Sequence, residues 1–174
     1  GFGDKAYLKG MIEFLSRIRQ PIPNIVFDAD AITCFEGDLD AFIQIVNNIN
    51  CKIVITPHEG EFFRLFGHEF KKLSKPDAAL KAAILSKVTI VLKGNDTIIA
   101  DPSSEIFFSY NAPVTLATAG SGDVLAGIIG GLIAQGMNPL DACRMGVWVH
   151  NNAGNLIGKS LIAEDLISIL PEVI

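Results

Sequence analysis

The segment Thr118-Ala119-Gly120-Ser121-Gly122-Asp123 sets two glycines and an acid directly ahead of a strongly helical run. Gly120 and Gly122 permit a tight turn, and unpaired N–H groups at the helix start form an anion site suited to a phosphoryl group. The candidate anion hole is therefore Ala119, Gly120, Ser121 and Gly122. Asp123 falls in the first helical turn, where a carboxylate repels bound phosphate. General-base work on a hydroxyl that attacks the phosphoryl group gives the acid a reason to be there. The alternative is that it only complements the helix dipole, and spacing alone does not choose.

Other polar clusters follow apolar runs. Lys93-Gly94-Asn95-Asp96-Thr97 reads as a turn between two strands, though a strand-end Lys followed by Gly also lets backbone approach a nucleotide. His58, after Pro57, either hydrogen-bonds a polar substrate as a neutral imidazole or serves structure, the commoner role of a lone histidine. Asp28 and Asp30 either hold a metal–phosphate complex, since hard cations favour carboxylates, or cap a turn, the reading preferred for Asp30. His150, beside Trp148 in a helical run, reads as core, as do Phe62, Phe63 and Phe66. Gly1-Phe2-Gly3 is weak evidence by itself. There is no GxxxxGK[ST] and hence no Walker-type loop, and no dedicated metal-ligand set.

The elements that must position these groups follow from periodicity. Apolar spacing predicts helices over 4–19, with Asp4 as N-cap, and over 39–46, 59–66, 78–86, 122–135, 139–157 and 163–170. Continuous apolar runs predict strands over 24–29, 52–55 and 88–93, and 97–100 with 106–109 reads as a hairpin. Strands that alternate with helices specify an α/β domain with a mainly parallel sheet, whose ligand crevice lies outside the carboxyl ends of the strands. If the strands are parallel, the polar clusters converge on one sheet edge.

Composition bounds the function. The 174 residues are 49% hydrophobic and 19% charged, which describes one globular domain with a large core and excludes disorder. Mean hydropathy is +0.39 and the pI is near 5.1. A net charge of −5 leaves no basic stripe for a nucleic acid. The apolar run 124–134 is too short to cross a membrane and reads as a buried helix. Three cysteines without a CxxC spacing read as reduced thiols in a cytoplasmic protein.

Together, VFDADAIT (26–33), ITPHEGEFFRLFG (55–67), VLKGNDTIIADP (91–102) and LATAGSGDVLAGIIGGLIAQG (116–136) resemble the ADP/ATP-dependent NAD(P)H-hydrate dehydratases of the ribokinase-like superfamily. The closing stretches 146–158 and 161–174 look similar as well. The resemblance implies a three-layer sandwich with helices on both sheet faces. It also implies phosphorylation of the ring hydroxyl of hydrated NADH or NADPH by ADP or ATP, then loss of phosphate. Asp123 matches the acid that contacts the hydrate hydroxyl, Gly122 a nucleotide-contacting glycine, and His58 the histidine that contacts the hydrate. Lys93, Gly94, Asn95, Asp96 and Thr97 match the segment lining the nucleotide site, and Gly3 a glycine on the substrate side. Magnesium is expected as the phosphate counter-ion, and a homo-oligomer, such as a tetramer, as the assembly.

Departures are Ala119, where the pattern often has Gly, Glu59, where it often has Pro, and Asn151, Asn152 and Asn155. Family members carry a further segment ahead of Gly1, so an excerpt of a longer chain is expected. A ribokinase-like kinase for a thiazole- or pyrimidine-type alcohol, and a non-catalytic nucleotide-binding module, are the competing readings.

Overall fold

The computed structural model describes residues 4–110 and 112–174. Gly3 and the rest of the Gly1-Phe2-Gly3 cluster lie outside the described residues. The elements are α1 (Lys5–Leu15), β1 (Ile25–Phe27), α2 (Asp30–Thr33), α3 (Leu39–Asn48), β2 (Ile53–Ile55), α4 (Glu59–Phe66) and α5 (Lys75–Ser86). They continue as β3 (Thr89–Leu92), β4 (Thr97–Ala100), β5 (Ile106–Ser109), α6 (Ser121–Ala134), α7 (Pro139–Ile157) and α8 (Ala163–Val173).

Local chemistry accounts for most boundaries. Asp4 caps α1, its side chain accepting from the Tyr7 N–H at 2.9 Å. The helix stops at Leu15 rather than Arg19, and Ser16 turns its hydroxyl onto the Glu13 carbonyl at 2.7 Å. α5 starts at Lys75, ahead of the expected Ala78. Ser74 caps it by accepting from the Asp77 N–H, and Pro76 suits a first turn. Asp30 opens the one-turn helix α2.

The sheet runs in the order β1-β2-β3-β4-β5. β1, β2 and β3 are parallel, with Val26 opposite Val54 and Val54 opposite Thr89. β4 and β5 run antiparallel to their neighbours. The expected parallel sheet is thus confined to the first three strands. A parallel pair needs a crossover of a dozen or more residues, and the short turns on either side of β4 are long enough only for hairpins.

Side chains alternate to two buried faces. On one, Ile53, Ile55, Ile90, Leu92 and Ile98 pack with Ile12, Phe42, Phe62, Phe66 and Ala82 from α1, α3, α4 and α5. On the other, Val54, Val91 and Ile99 pack with Leu125, Ile129 and Val147 from α6 and α7. α8 closes over α7 through Leu161 and Leu166. Helices on both faces make the expected three layers.

α6 departs from the expected buried helix. Leu125, Ile128, Ile129 and Ile133 are buried, but Gly127 and Gly131 are exposed and face open space. Among the described residues no helix is long and apolar enough to cross a membrane.

Phe62 is fully buried and its ring meets Phe63, Phe66 and Phe70 at centroid distances of 5.4, 4.8 and 5.8 Å. Phe62→Ala should cost about 3–5 kcal/mol, read as a lower denaturant midpoint at an unchanged slope.

Candidate active site

The parallel strands bring their carboxyl ends to one edge. Asp28 follows β1, Thr56 to His58 follow β2, and Lys93 follows β3. The Lys93 N–H donates to the Pro57 carbonyl at 2.8 Å, and a further parallel bridge pairs His58 with Lys93. The Lys93 ammonium lies 2.9 Å from Asp28 Oδ1, with the two side chains only 19% and 14% exposed. A Cβ built on Gly122 would stand 3.2 Å from that ammonium. Glycine at this position therefore leaves room for the cation beside the first turn of α6.

Gly120 makes the turn into α6 with φ +84°, a conformation in which glycine carries no Cβ penalty. The Ser121 hydroxyl donates to the Leu116 carbonyl at 2.6 Å, and the Ser121 N–H donates to the Thr118 carbonyl at 3.3 Å. The N–H groups of Gly122 and Asp123 belong to the first turn, which offers no intrahelical acceptor. The Lys93 ammonium, paired with Asp28, stands beside this helix end.

His150 supports it from below. It is buried, as expected for a core residue, and its Nε2 lies 2.9 Å from the Ser121 carbonyl. A carbonyl only accepts, so Nε2 carries the proton. Burial holds the imidazole below its usual range, with Lys93 adding to the effect and the bond to Ser121 opposing it.

His58 caps α4. Its Nδ1 accepts from the N–H groups of Gly60 and Glu61 at 2.9 and 3.3 Å, while the Glu61 carboxylate accepts from the His58 N–H at 2.8 Å. Nε2 lies 3.6 Å from Glu61 Oε1, and 55% of the side chain is exposed. The structural and functional readings of this residue are compatible.

A cavity of about 380 Å³ joins these groups. His58, Lys93, Gly94, Asn95, Thr97, Ser121, Gly122 and His150 line it, with Val114, Leu116 and Val147 as apolar wall. Thr97 is buried and its hydroxyl donates to the Gly94 carbonyl at 3.2 Å, which tightens the nucleotide-site candidate loop. Asp96 and Ala119 are exposed and stand outside the lining, and Gly120 contributes conformation rather than lining. Asp123 is exposed and borders a different depression. This is an apolar groove of about 470 Å³ with Gly127, Ile128, Gly131, Ile167 and Leu170. The first turn of α6 therefore presents Gly122 to the polar cavity and Asp123 to the apolar groove.

Two partnerships were not legible in the sequence. One is Asp28 with Lys93, 65 residues apart. The other is Lys75, whose ammonium donates to the Lys93 carbonyl at 3.3 Å, lies against Gly94, and pairs with Glu59 at 3.4 Å. The signal for Lys75 was its place at the start of α5, after a capping serine. Asn151 also lines the cavity, its amide donating to the Ser109 hydroxyl at 2.9 Å.

Among the described residues no three His, Cys, Asp or Glu groups converge to hold a metal ion, and Asp28 faces an ammonium instead. Burial pushes the thiols of Cys34 and Cys143 up to about 11 and about 12, so neither is a thiolate nucleophile at neutral pH.

This fold and site define a ribokinase-like domain whose glycine-led helix starts beside the Lys93 ammonium. The family model described as NAD(P)H-hydrate dehydratase matches residues 1–172, and the chain belongs to that family. An ADP-dependent (S)-NAD(P)H-hydrate dehydratase of Neisseria meningitidis is 38% identical over 141 residues, covering 78% of this chain and 46% of that protein. A bifunctional NAD(P)H-hydrate repair enzyme of Moorella thermoacetica is 34% identical over 178 residues, covering 98% of this chain and 32% of that protein. The chain thus spans less than half the length of these curated relatives.

Among solved structures, an ADP/ATP-dependent NAD(P)H-hydrate dehydratase from Bacillus subtilis, co-crystallised with ATP and Mg²⁺ and soaked with CoA, superposes with TM-score 0.73. It is 25% identical, and the match covers 93% of this chain and 70% of that one. A ribokinase-like superfamily protein from Enterococcus faecalis superposes with TM-score 0.80 at 26% identity, covering 99% of this chain and 59% of that one.

Two stability tests follow from the site. Ala29, between Asp28 and Asp30, holds φ +48° and ψ −117°, which a side chain strains to adopt. Ala29→Gly should stabilise the fold by roughly 1 kcal/mol in thermal or denaturant melts. His150→Gln keeps an N–H donor and removes the titration. Below about pH 6.5 an unfolded imidazole takes up a proton that the buried one resists, so stability falls as pH drops through that range. The variant should lose that part of the slope in denaturant titrations at about pH 7.5 and 5.5.

Proposed function

We propose that this domain transfers the terminal phosphoryl group of ADP or ATP to the ring hydroxyl of hydrated NADH or NADPH, and then expels phosphate to restore the reduced nicotinamide. The observation that carries the reading is the two-sided first turn of α6. An ammonium and free backbone N–H groups stand on the Gly122 side, and the Asp123 carboxylate stands on the other. Family membership supplies the substrate class.

The apolar wall of Val114, Leu116 and Val147 suits a heteroaromatic base, and Lys93, Asn95 and Gly122 suit its phosphates. Gly94 and Thr97 keep the loop close to the nucleotide, with Asp96 at its tip. Asp123 accepts the hydroxyl proton as the oxygen–phosphorus bond forms and the bond to the nucleotide's bridging oxygen breaks. Lys93 and the N–H groups of Gly122 and Asp123 meet the charge that develops on the transferred group. The carbon–oxygen bond then breaks, phosphate leaves with the electron pair, and the adjacent carbon releases a proton as the double bond returns. His58 lines the same cavity as Lys93 and Gly122, and the family resemblance assigns it, with Gly3, to the hydrate.

Magnesium would enter on the nucleotide's phosphates, where it supplies charge neutralisation, since the described residues offer no cage of their own. The reading carries a cytoplasmic location and a homo-oligomeric state. The exposed side chains Tyr7, Met11 and Phe14 on α1 provide an apolar face for such association, and light scattering measures it.

The test uses hydrated NADH, magnesium and either ADP or ATP, followed by recovery of reduced-nicotinamide fluorescence. Wild type should recover the signal. Asp123→Asn should lose at least about a hundredfold in kcat while binding nucleotide with near-unchanged affinity. A stable phosphorylated product without recovery would convert the reading to a kinase, and an Asp123→Asn variant with full turnover would remove the base assignment.

A further inference from the structure

We propose that Asp28 is a positioning residue, whose carboxylate holds the Lys93 ammonium at the start of α6, where that charge meets the transferred phosphoryl group. The inference rests on the phosphoryl-transfer reading above and goes beyond it by naming what holds the cation and which part of the nucleotide feels its loss.

Four observations carry it. Among the described residues Lys93 lines the cavity and Asp28 does not, so the carboxylate acts on that cavity through the ammonium it holds. The pair is short, 2.9 Å, and both side chains are largely withdrawn from water. In such surroundings opposite charges interact far more strongly than on a surface. Third, both ends of the lysine are held. Its N–H is tied to the Pro57 carbonyl and its carbonyl accepts from Lys75, so only the stem and ammonium retain freedom. A free lysine stem samples many rotamers, and a carboxylate at its tip selects one.

Fourth, the selected position is the one that Gly122 keeps clear, because a Cβ there would stand 3.2 Å from the ammonium. Any larger residue at 122 would compete for the place that Asp28 assigns to Lys93. The strained backbone of Ala29 immediately follows Asp28, so the carboxylate leaves β1 at a sharp turn. Lys75, the neighbouring cation, is engaged by Glu59 and the Lys93 carbonyl, and is therefore a poor substitute.

The test measures calorimetric affinities for AMP, ADP and ATP, together with turnover of hydrated NADH. It compares wild type, Asp28→Asn, Asp28→Glu and the double variant Asp28→Leu/Lys93→Met. Asp28→Asn should leave AMP affinity within about twofold and weaken about tenfold the first nucleotide that carries the transferred group. Its kcat should fall at least about tenfold with KM for the hydrate kept, and Asp28→Glu should recover most of both. The double variant removes both charges from partly buried positions, so it should melt near wild type yet show the same nucleotide defect.

Equal weakening of AMP and ATP, or a double variant that binds ATP normally, would overturn the proposal. So would a wild type that repairs the hydrate alongside an Asp28→Asn variant indistinguishable from it. A wild type that repairs no hydrate, while Asp28→Asn still weakens ATP selectively, would remove the repair reading and leave the positioning role standing.

Discussion

The parallel hydrogen-bonded register of β1, β2 and β3 is the constraint on which the rest of the molecule depends. It sets Val26 against Val54 and Ile55 against Ile90, so β1 and β2 end level and β3 continues to Leu92 on the same side. Side chains alternate across the pleat and the sheet is covered on both faces, so nearly every strand residue is apolar and a one-residue slip would exchange the two cores. Polar chemistry is left for the residues just past the strand ends. Asp28, His58 and Lys93 reach one edge for that reason, although long stretches of chain separate them. α6 packs beside β1 and α7, which delivers the glycine-led turn to the same edge.

At that edge the electrostatics are economical. The Lys93 ammonium and Gly122 line one cavity, and the buried imidazole of His150 adds no competing charge to it. His150 stays neutral because it is buried, with Lys93 reinforcing the effect, and it uses its proton to hold the Ser121 carbonyl. The same helical turn offers opposite chemistry on its two sides: a clearance at Gly122 for the Lys93 ammonium, and a carboxylate at Asp123 over an apolar groove. Residues one step apart on a helix point about a hundred degrees from each other, so adjacent positions can serve separate chambers.

The departures from the family pattern acquire physical meaning in this frame. Glu59 stands where proline is frequent, and its carboxylate reaches Lys75 at 3.4 Å, which in turn donates to the Lys93 carbonyl. The starts of α4 and α5 are thereby tied to the loop after β3, a link that proline could not make. Ala119 is exposed and outside the cavity lining, so its methyl group does not narrow the anion turn. Asn151 joins the lining and fastens α7 to β5 through Ser109.

The sequence by itself determined the kind and place of most elements. α4, α7, β4 and β5 occupy the expected residues, because their signals are local: acids in the first helical turn, a proline at a first helical position, and a turn of Asp, Pro and Ser between apolar runs. The glycine-led turn and its acid were legible for the same reason, and so were the two apolar sheet faces implied by continuous strands. Tertiary structure alone decided that Asp28 meets Lys93, that Lys75 braces the loop after β3, and that Gly122 and Asp123 face different spaces. It also left the glycine side of α6 open, which its apolar composition had concealed. These outcomes depend on distances between residues far apart in the chain. Such distances are set by strand register and helix packing together, which no local pattern of residue types encodes.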